Sequence, residues 1–502
     1  MKIRLLLFTL MLLIGSSHLI GQTSFNGFAL YNELGSNTSY LIDKDGNIAH
    51  NWSCAESGNY AVKLTDNGNI VRGASYSGNI LTGAAIGGLI QELDASANVV
   101  WEYIYSDASH CSHHDFCLMP NGNVILTAWE VKTGSEMDAS GSTASDESWP
   151  THFVELQPDG AGSANIIWEW HMWDHLIQDH DSTKANYGVV ADNPQLMDIN
   201  AVPKFSNDGF FGYDWFHVNG INYNESLDQL VFTSRMGSEF YIIDHSTTSA
   251  EAATNSGGNS GMGGDLLYRW GNPANYGAPG TQMIPAAVHD PQWVKPGRPY
   301  AGYIQFFNNE GVNSNSSSVD LILAPESGNT YSWTPGTSYA PTTFTKRHNA
   351  VAFSSGQSAS DRMSNGNVFV AVSGEYMYEV DSNDNMVWQY NAGPAKAFRY
   401  ECDHVGLTAL LGADPCNLVS VGELDDKDIS IYPNPSKGMF NITGIELNTE
   451  MEIRVYDAFG SLVLVSQNTN SVNLQDQPNG FYMVNVILEG TKLFRKKIVL
   501  MK

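Results

Sequence analysis

Six short apolar stretches along this chain each run into a tryptophan: Ile48-Ala49-His50-Asn51-Trp52, Val99-Val100-Trp101, Ile166-Ile167-Trp168, Leu266-Leu267-Tyr268-Arg269-Trp270, Thr330-Tyr331-Ser332-Trp333 and Met386-Val387-Trp388. Asn-Gly-Asn turns stand upstream at 67–69, 121–123 and 365–367. Each unit reads as strand, turn, strand, strand, Asp/Gly turn and a last strand ending in Trp. Such a unit buries its faces only against neighbours of the same kind, so repetition dictates stacking. Six units predict an all-β fold, a six-bladed β-propeller. An ordinary β-sandwich gives no reason for six units on one internal pattern.

With 25 basic against 53 acidic residues, the net charge of −28 excludes nucleic acid or an anionic membrane as an electrostatic partner. Met1-Lys2-Ile3-Arg4, the apolar run Leu5 to Ile14 and the polar residues after it predict a signal peptide over 1–22. That run is too short to span a bilayer, so the mature protein is expected to have no membrane-spanning segment and to be exported. Export permits disulfides. Of Cys54, Cys111, Cys117, Cys402 and Cys416, the pairings nearest in sequence are Cys111 with Cys117 and Cys402 with Cys416, and an odd number leaves at least one unpaired.

Histidines recur where the first strand of a unit begins: His113-His114-Asp115, Phe216-His217-Val218-Asn219, His289-Asp290 and Arg347-His348-Asn349. In a propeller these positions converge on the central channel. His217 and Arg235 each lie nine residues from position 226 in the turn between two strands, so in ideal register they face each other; a one-residue slip would undo the pairing. The long connections 131–150 and 171–213 are expected at the same end of the channel, and 245–263 at the other. Stretch 171–213, with Trp170-His171-Met172-Trp173 leading into it, is either an aromatic lid or a loop packed on its own tryptophans. His50, His110, His245 and His404 are assigned to surface or packing. Converging imidazoles allow metal binding, an anion clamp, or nucleophilic and acid–base catalysis. A fixed guanidinium beside His217 argues against a metal and suits a tetrahedral oxyanion.

Asp214-Trp215-Phe216-His217-Val218-Asn219-Gly220, followed by Thr233-Ser234-Arg235, resembles the core motif of bacterial arylsulfate sulfotransferases. His113-His114-Asp115 with Pro120-Asn121-Gly122-Asn123, and His289-Asp290-Pro291-Gln292-Trp293 with Phe306-Phe307-Asn308-Asn309, are similar to two further elements of that family. The resemblance spans residues 25–410 and implies transfer of a sulfuryl group from an aryl sulfate to a phenol, without a nucleotide donor, metal or organic cofactor. It implies His289 as nucleophile, Arg235 and His217 as oxyanion stabilisers, and His113 or His114 as acid and base. Asn219, on the face of His217, is expected to donate to substrate, with Arg347 and His348 as secondary substrate contacts. Adjacent strand residues face opposite ways, so one of His113 and His114 is expected in the channel. The propeller is placed at 23–421, an acidic linker at 422–428 and a β-sandwich of about seven strands at 429–502. That tail, from Ile429-Ser430-Ile431-Tyr432-Pro433-Asn434-Pro435, resembles the C-terminal sorting domain of the type IX secretion system and implies that machinery as a partner, with a secreted or cell-surface location. Two rivals remain: a non-catalytic propeller that binds a ligand or protein, and an aryl sulfate hydrolase.

Overall fold

The computed structural model describes residues 24–205, 212–279, 286–417, 430–444, 451–457, 462–488 and 492–502, and divides into two compact units, Met1–Ala413 and Asp414–Lys502. The expected signal peptide and linker lie outside the described residues.

The first unit holds six four-stranded antiparallel sheets. From inner to outer strand, blade two is Gly58–Leu64, Ile70–Ser75, Gly88–Leu93 and Val99–Ile104; blade three is His110–Leu118, Val124–Glu130, Thr151–Pro158 and Ala164–His171. Blade four is Val218–Asn224, Gln229–Ser234, Glu239–Asp244 and Tyr268–Gly271; blade five is Val288–Trp293, Ile304–Asn313, Ser316–Ile322 and Lys346–Asn349. Blade six is Ala359–Arg362, Val368–Ala371, Met377–Val380 and Met386–Tyr390. Blade one takes its inner strand, Ala397–Glu401, from the far end of the unit and its other three, Gly27–Asn32, Thr38–Ile42 and Ile48–Ser53, from the start. Each inner strand touches the next around the ring, which closes the propeller.

The tryptophan repeat is a latch between blades. The indole N–H of Trp52 donates to Asp94 O of blade two, that of Trp101 to Ser163 O of blade three, and that of Trp168 to Thr247 Oγ1 of blade four. Trp270 donates likewise to Pro341 O of blade five. Each bond joins an outer strand to the turn before the next blade's outer strand, so one residue type in one place fixes the blade pitch. Blade five departs from expectation. Thr330–Tyr331 makes a small hairpin with Glu326–Ser327, and Trp333 donates to Thr337 O within its own loop. The outer strand is Lys346–Asn349 instead, paired Val319 to His348. Arg347 is therefore held by Asp320, and His348 by Asp384 and Tyr378 of blade six, so both sit on an outer edge and not in the channel where the sequence placed them.

Cys54, Cys111 and Cys117 are free, whereas Cys402 and Cys416 are disulfide-bonded; the Cys111–Cys117 alternative falls. Among the described residues, the second unit is a sandwich of seven strands. Ser430–Tyr432, Met439–Thr443 and Ser471–Asn473 form one sheet; Leu462–Gln467, Met451–Tyr456, Gly480–Leu488 and Lys492–Leu500 form the other. Alternate residues of both, among them Phe440, Ile442, Ile453, Val455, Val484 and Ile498, meet in one core.

Because the inner strand of blade one arrives last, a chain ended after Asn417 is expected to keep a cooperative thermal transition by circular dichroism. One ended after Ala395 is expected to lose it; a cooperative melt there contradicts the closure described.

Candidate active site

Inner strands of a propeller run down the channel, and here the histidine-bearing ones are not regular. The pairing register shifts between Ser112 and Phe116, between Val218 and Gly220, and between His289 and Gln292. Bulges re-aim side chains and interrupt the alternation of faces. His114, Phe216, His217 and Asp290 accordingly have φ of 53°, 72°, 51° and 53°, a region that costs a non-glycine residue of order 1–3 kcal/mol. The gain is convergence. His113 Nδ1 lies 2.8 Å from His114 Nδ1, and His114 Nε2 lies 3.1 Å from His217 Nε2. Both members of the His113-His114 pair are thus in the cluster, against the expectation of one, because the bulge breaks the two-residue period. The His217–Arg235 pairing holds for a reason not visible in the spacing. Near the turn the strands pair Asn224 with Gln229, half a residue off the assumed centre, and the bulge at Asn219 cancels that offset. The Arg235 N–H then donates to His217 O at 3.2 Å.

Hydrogen bonding fixes the proton positions. His217 Nδ1 meets Asp214 Oδ2 at 2.5 Å, so the proton sits on Nδ1 and Nε2 is an acceptor. For neutral imidazoles the series continues: His114 donates from Nε2, accepts at Nδ1, and His113 donates from its Nδ1. Asp214 is itself oriented by the Trp129 indole N–H at 3.0 Å, and His113 stacks on that indole at 4.3 Å. His289 Nδ1 faces two oxygens, Ala287 O at 2.8 Å and Asn309 Oδ1 at 2.7 Å. The Asn309 amide is oriented by its donation to Ser354 O and Gln357 O, so His289 carries its proton on Nδ1 and its lone pair on Nε2. That lone pair accepts the Gln357 backbone N–H at 3.0 Å.

Arg235 reaches from blade four to Ser355 O, in the connection from blade five to blade six, at 2.7 Å, beside Gly356, where a Cβ would lie 3.3 Å from its Nη1. Its guanidinium lies 6.0 Å from the Phe205 ring centroid, and Phe205 stacks on His217 at 4.0 Å. Tyr60 of blade two packs edge-on against His114. Asn219 is turned away from the opening: its Nδ2 donates to Val288 O and its Oδ1 accepts from Thr233, which pins the backbone beside His289. The structure thus gathers His113, His114, His217, Arg235 and His289, places Asn219 behind them, and leaves Arg347 and His348 outside. Spacing alone missed Asp214, Gln357, Asn309 and Tyr60; Asp214, three residues before His217, was the one with a local signal.

The two long connections meet at this end. Trp149 bridges Asp214, Thr143 N donates to Asn200 Oδ1, and Lys204 pairs with Asp146. Met172, Leu176, Met197, Ile199 and Val202 of stretch 171–213 are buried in one core with the flanking Trp170 and Trp215, so these described residues are packed against the blades and do not form a free lid. Loop 245–263 is not isolated from it, since His175 bonds Ala252 O.

Burial depresses the basicity of His113 from 6.5 to about 3, and holds His114 and His289 well below the ordinary histidine range. Neighbouring His217 adds to the effect on His114, and Arg235 to that on His289. A neutral, oriented Nε2 lone pair beside a guanidinium can attack an electrophile and stabilise its oxyanion, and an imidazole pair that takes up one further proton can pass it to a leaving group. Among the described residues, no group of three or more His, Cys, Asp or Glu converges to hold a metal ion.

Residues 21–393 match the family described as Arylsulfotransferase (ASST), and residues 430–501 match the Secretion system C-terminal sorting domain. Among solved structures, the chain is similar to a protein of unknown function from Bacteroides caccae, at 11% identity and TM-score 0.39, covering 74% of this chain and 98% of that one. It is also similar to a periplasmic gluconolactonase from Pseudomonas aeruginosa, at 10% identity and TM-score 0.36, covering 95% and 99%. Likeness at that level carries no argument about chemistry. No curated protein matches the chain.

His113 is neutral in the fold but takes a proton near 6.5 once unfolded, so its contribution is intact above pH 6.5 and is lost as pH falls towards 3. Wild type is therefore expected to lose stability relative to His113→Phe across that window, measured by urea titration at each pH. Parallel pH profiles contradict the neutral assignment.

Proposed function

The chain belongs to the arylsulfotransferase family, and on that premise we propose that it moves a sulfuryl group from an aryl sulfate to a phenolic acceptor through a sulfohistidine on His289. The observation that carries this reading is the fixed tautomer of His289, with two oxygens on Nδ1 and the lone pair on Nε2. In the first displacement the Nε2 pair attacks sulfur, the sulfur–oxygen bond to the aryl group breaks, and its electrons leave on the phenolate oxygen. With the anionic sulfate bound, the His114–His217 pair carries one proton more than the neutral series, the added charge facing Asp214; the leaving oxygen takes that proton and the pair returns to neutral. The ring, now bearing sulfur on Nε2 and a proton on Nδ1, develops positive charge that Ala287 O and Asn309 Oδ1 are set to stabilise. In the second displacement the acceptor phenol returns its proton to the imidazole pair and attacks sulfur, and the nitrogen–sulfur bond breaks back to Nε2. Arg235 and His217 oppose the charge on the sulfuryl oxygens. His113 sets which nitrogen of His114 carries the proton, and Asp214 does the same for His217. Phe205 and Tyr60 supply aromatic surface suited to a phenolic ring.

The tail is a secretion system C-terminal sorting domain, which directs the protein through type IX secretion to the cell surface or the extracellular space. Among the described residues, no helix is long and apolar enough to cross a membrane.

With 4-nitrophenyl sulfate as donor, nitrophenolate release is expected to require phenol and to fall by at least roughly 10⁴-fold in His289→Ala. Arg235→Met is expected to cost roughly 10²–10³-fold, chiefly in turnover. Release that ignores phenol makes water the acceptor; release that survives His289→Ala removes the sulfohistidine.

A further inference from the structure

All six inner strands meet at one buried point, one residue beyond the catalytic histidines. Lys396, which leads into the closing strand of blade one, is fully buried. Its Nζ lies 2.6 Å from Asp115 Oδ2 of blade three and 3.3 Å from Asp290 Oδ1 of blade five. Asp115 Oδ2 also accepts the Ile221 N–H of blade four at 3.2 Å, and Asp115 Oδ1 lies 3.7 Å from Lys63 Nζ of blade two. Asp290 Oδ2 accepts the Ser360 N–H of blade six at 3.0 Å. Two carboxylates and two ammonium groups make the hub neutral. Asp115 directly follows His114, and Asp290 directly follows His289.

We propose that Lys396 is a positioning residue for sulfuryl transfer: by bridging Asp115 and Asp290 it sets the spacing between His114, the acid, and His289, the nucleophile. The inference rests on the sulfuryl-transfer reading above. The two strands that carry these histidines are not neighbours; blade four lies between them. Neither histidine-bearing strand is regular at this height, since both bulge beside the hub. Ladder hydrogen bonds therefore do not fix the two imidazoles relative to each other, and the carboxylates one residue on are the first groups that join their strands. The tie is uneven. Lys396 and Lys63 hold the Asp115 carboxyl below its usual range against burial, whereas burial holds Asp290 above its usual range with Lys396 only partly opposing. The Lys396 contact to Asp115, at 2.6 Å, is also the shorter, and that to Asp290, at 3.3 Å, the longer.

A spacing defect has a signature that general loosening lacks. Sulfuryl transfer from a donor with an acidic phenol needs little protonation of the leaving oxygen, and transfer from a donor with a basic phenol needs much. Misplacing His114 relative to His289 penalises the second kind. In Lys396→Met, turnover of 4-nitrophenyl sulfate is expected to fall roughly tenfold or less, and that of 4-methylphenyl sulfate by roughly a hundredfold or more, with acceptor KM little changed. Asp290→Asn keeps the Lys396–Asp115 pair and is expected to give the same pattern at smaller size; it carries the test if Lys396→Met does not fold. Equal losses on both donors, or no loss on either, overturn the proposal. If the wild type transfers from neither donor, the functional reading falls, and ¹⁵N-histidine spectra then decide on Lys396 alone. The resonances of His114, His217 and His289 must move in the variant, while His245, tied to Asp228 and Glu155, stays in place. Unmoved resonances at the first three overturn it.

Discussion

The buried lysine–carboxylate hub is the constraint on which the rest of this propeller depends. Six sheets meet in the first unit, and their innermost strands, one of them delivered by the far end of the unit, have to agree on a common height. Lys396, Asp115, Asp290 and Lys63, with the Ile221 and Ser360 N–H groups, give every inner strand a polar partner at the same level. Buried charge contributes little net stability when satisfied, but removing one partner costs about 3–5 kcal/mol. Such an arrangement punishes any other register, and so specifies one. The tryptophan latches do the same at the rim, where the indole N–H groups of Trp52, Trp101, Trp168 and Trp270 each find an acceptor on the following blade.

Above the hub the chain departs from regular strand geometry, and the departures make the site. A regular strand shows alternate residues to the channel, which would hide one of His113 and His114 and separate His217 from Arg235. Bulges bring these groups together at the cost of several left-handed backbone positions. Gly220 permits this: a Cβ there would lie 2.6 Å from Pro291 Cδ and 2.9 Å from Asp290 N, so the inner strands of blades four and five approach only because that residue lacks one. The hydrogen bonds that follow leave little freedom in protonation. Asp214 sets the tautomer of His217, and Ala287 and Asn309 set that of His289.

Much of this was legible in the sequence, and the limits are physical. The Trp repeat yielded six blades, and the histidine motifs yielded the cluster, because each is local and recurs. Blade five misled because Trp333 satisfies its indole within its own loop, so the same residue type marked a hairpin and not an outer strand. Arg347 and His348 moved with it. Both members of the His113-His114 pair proved to be in the site because a bulge has no signature in composition. Lys396 gave no sign at all: it lies 281 residues from Asp115 and 106 from Asp290, and only closure of the ring brings them together. Gln357 likewise acts through a contact with the neighbouring blade, whereas Asn309 meets His289 from the adjacent strand of its own blade.

The account stands or falls on whether His289 carries the sulfuryl group. The direct measurement is mass spectrometry of the protein quenched within the first turnover on 4-nitrophenyl sulfate without acceptor. The prediction is a single SO₃ on the peptide containing His289, formed together with a burst of nitrophenolate and discharged when phenol is added before the quench. Label on another residue, or a burst with His289 unmodified, would contradict it.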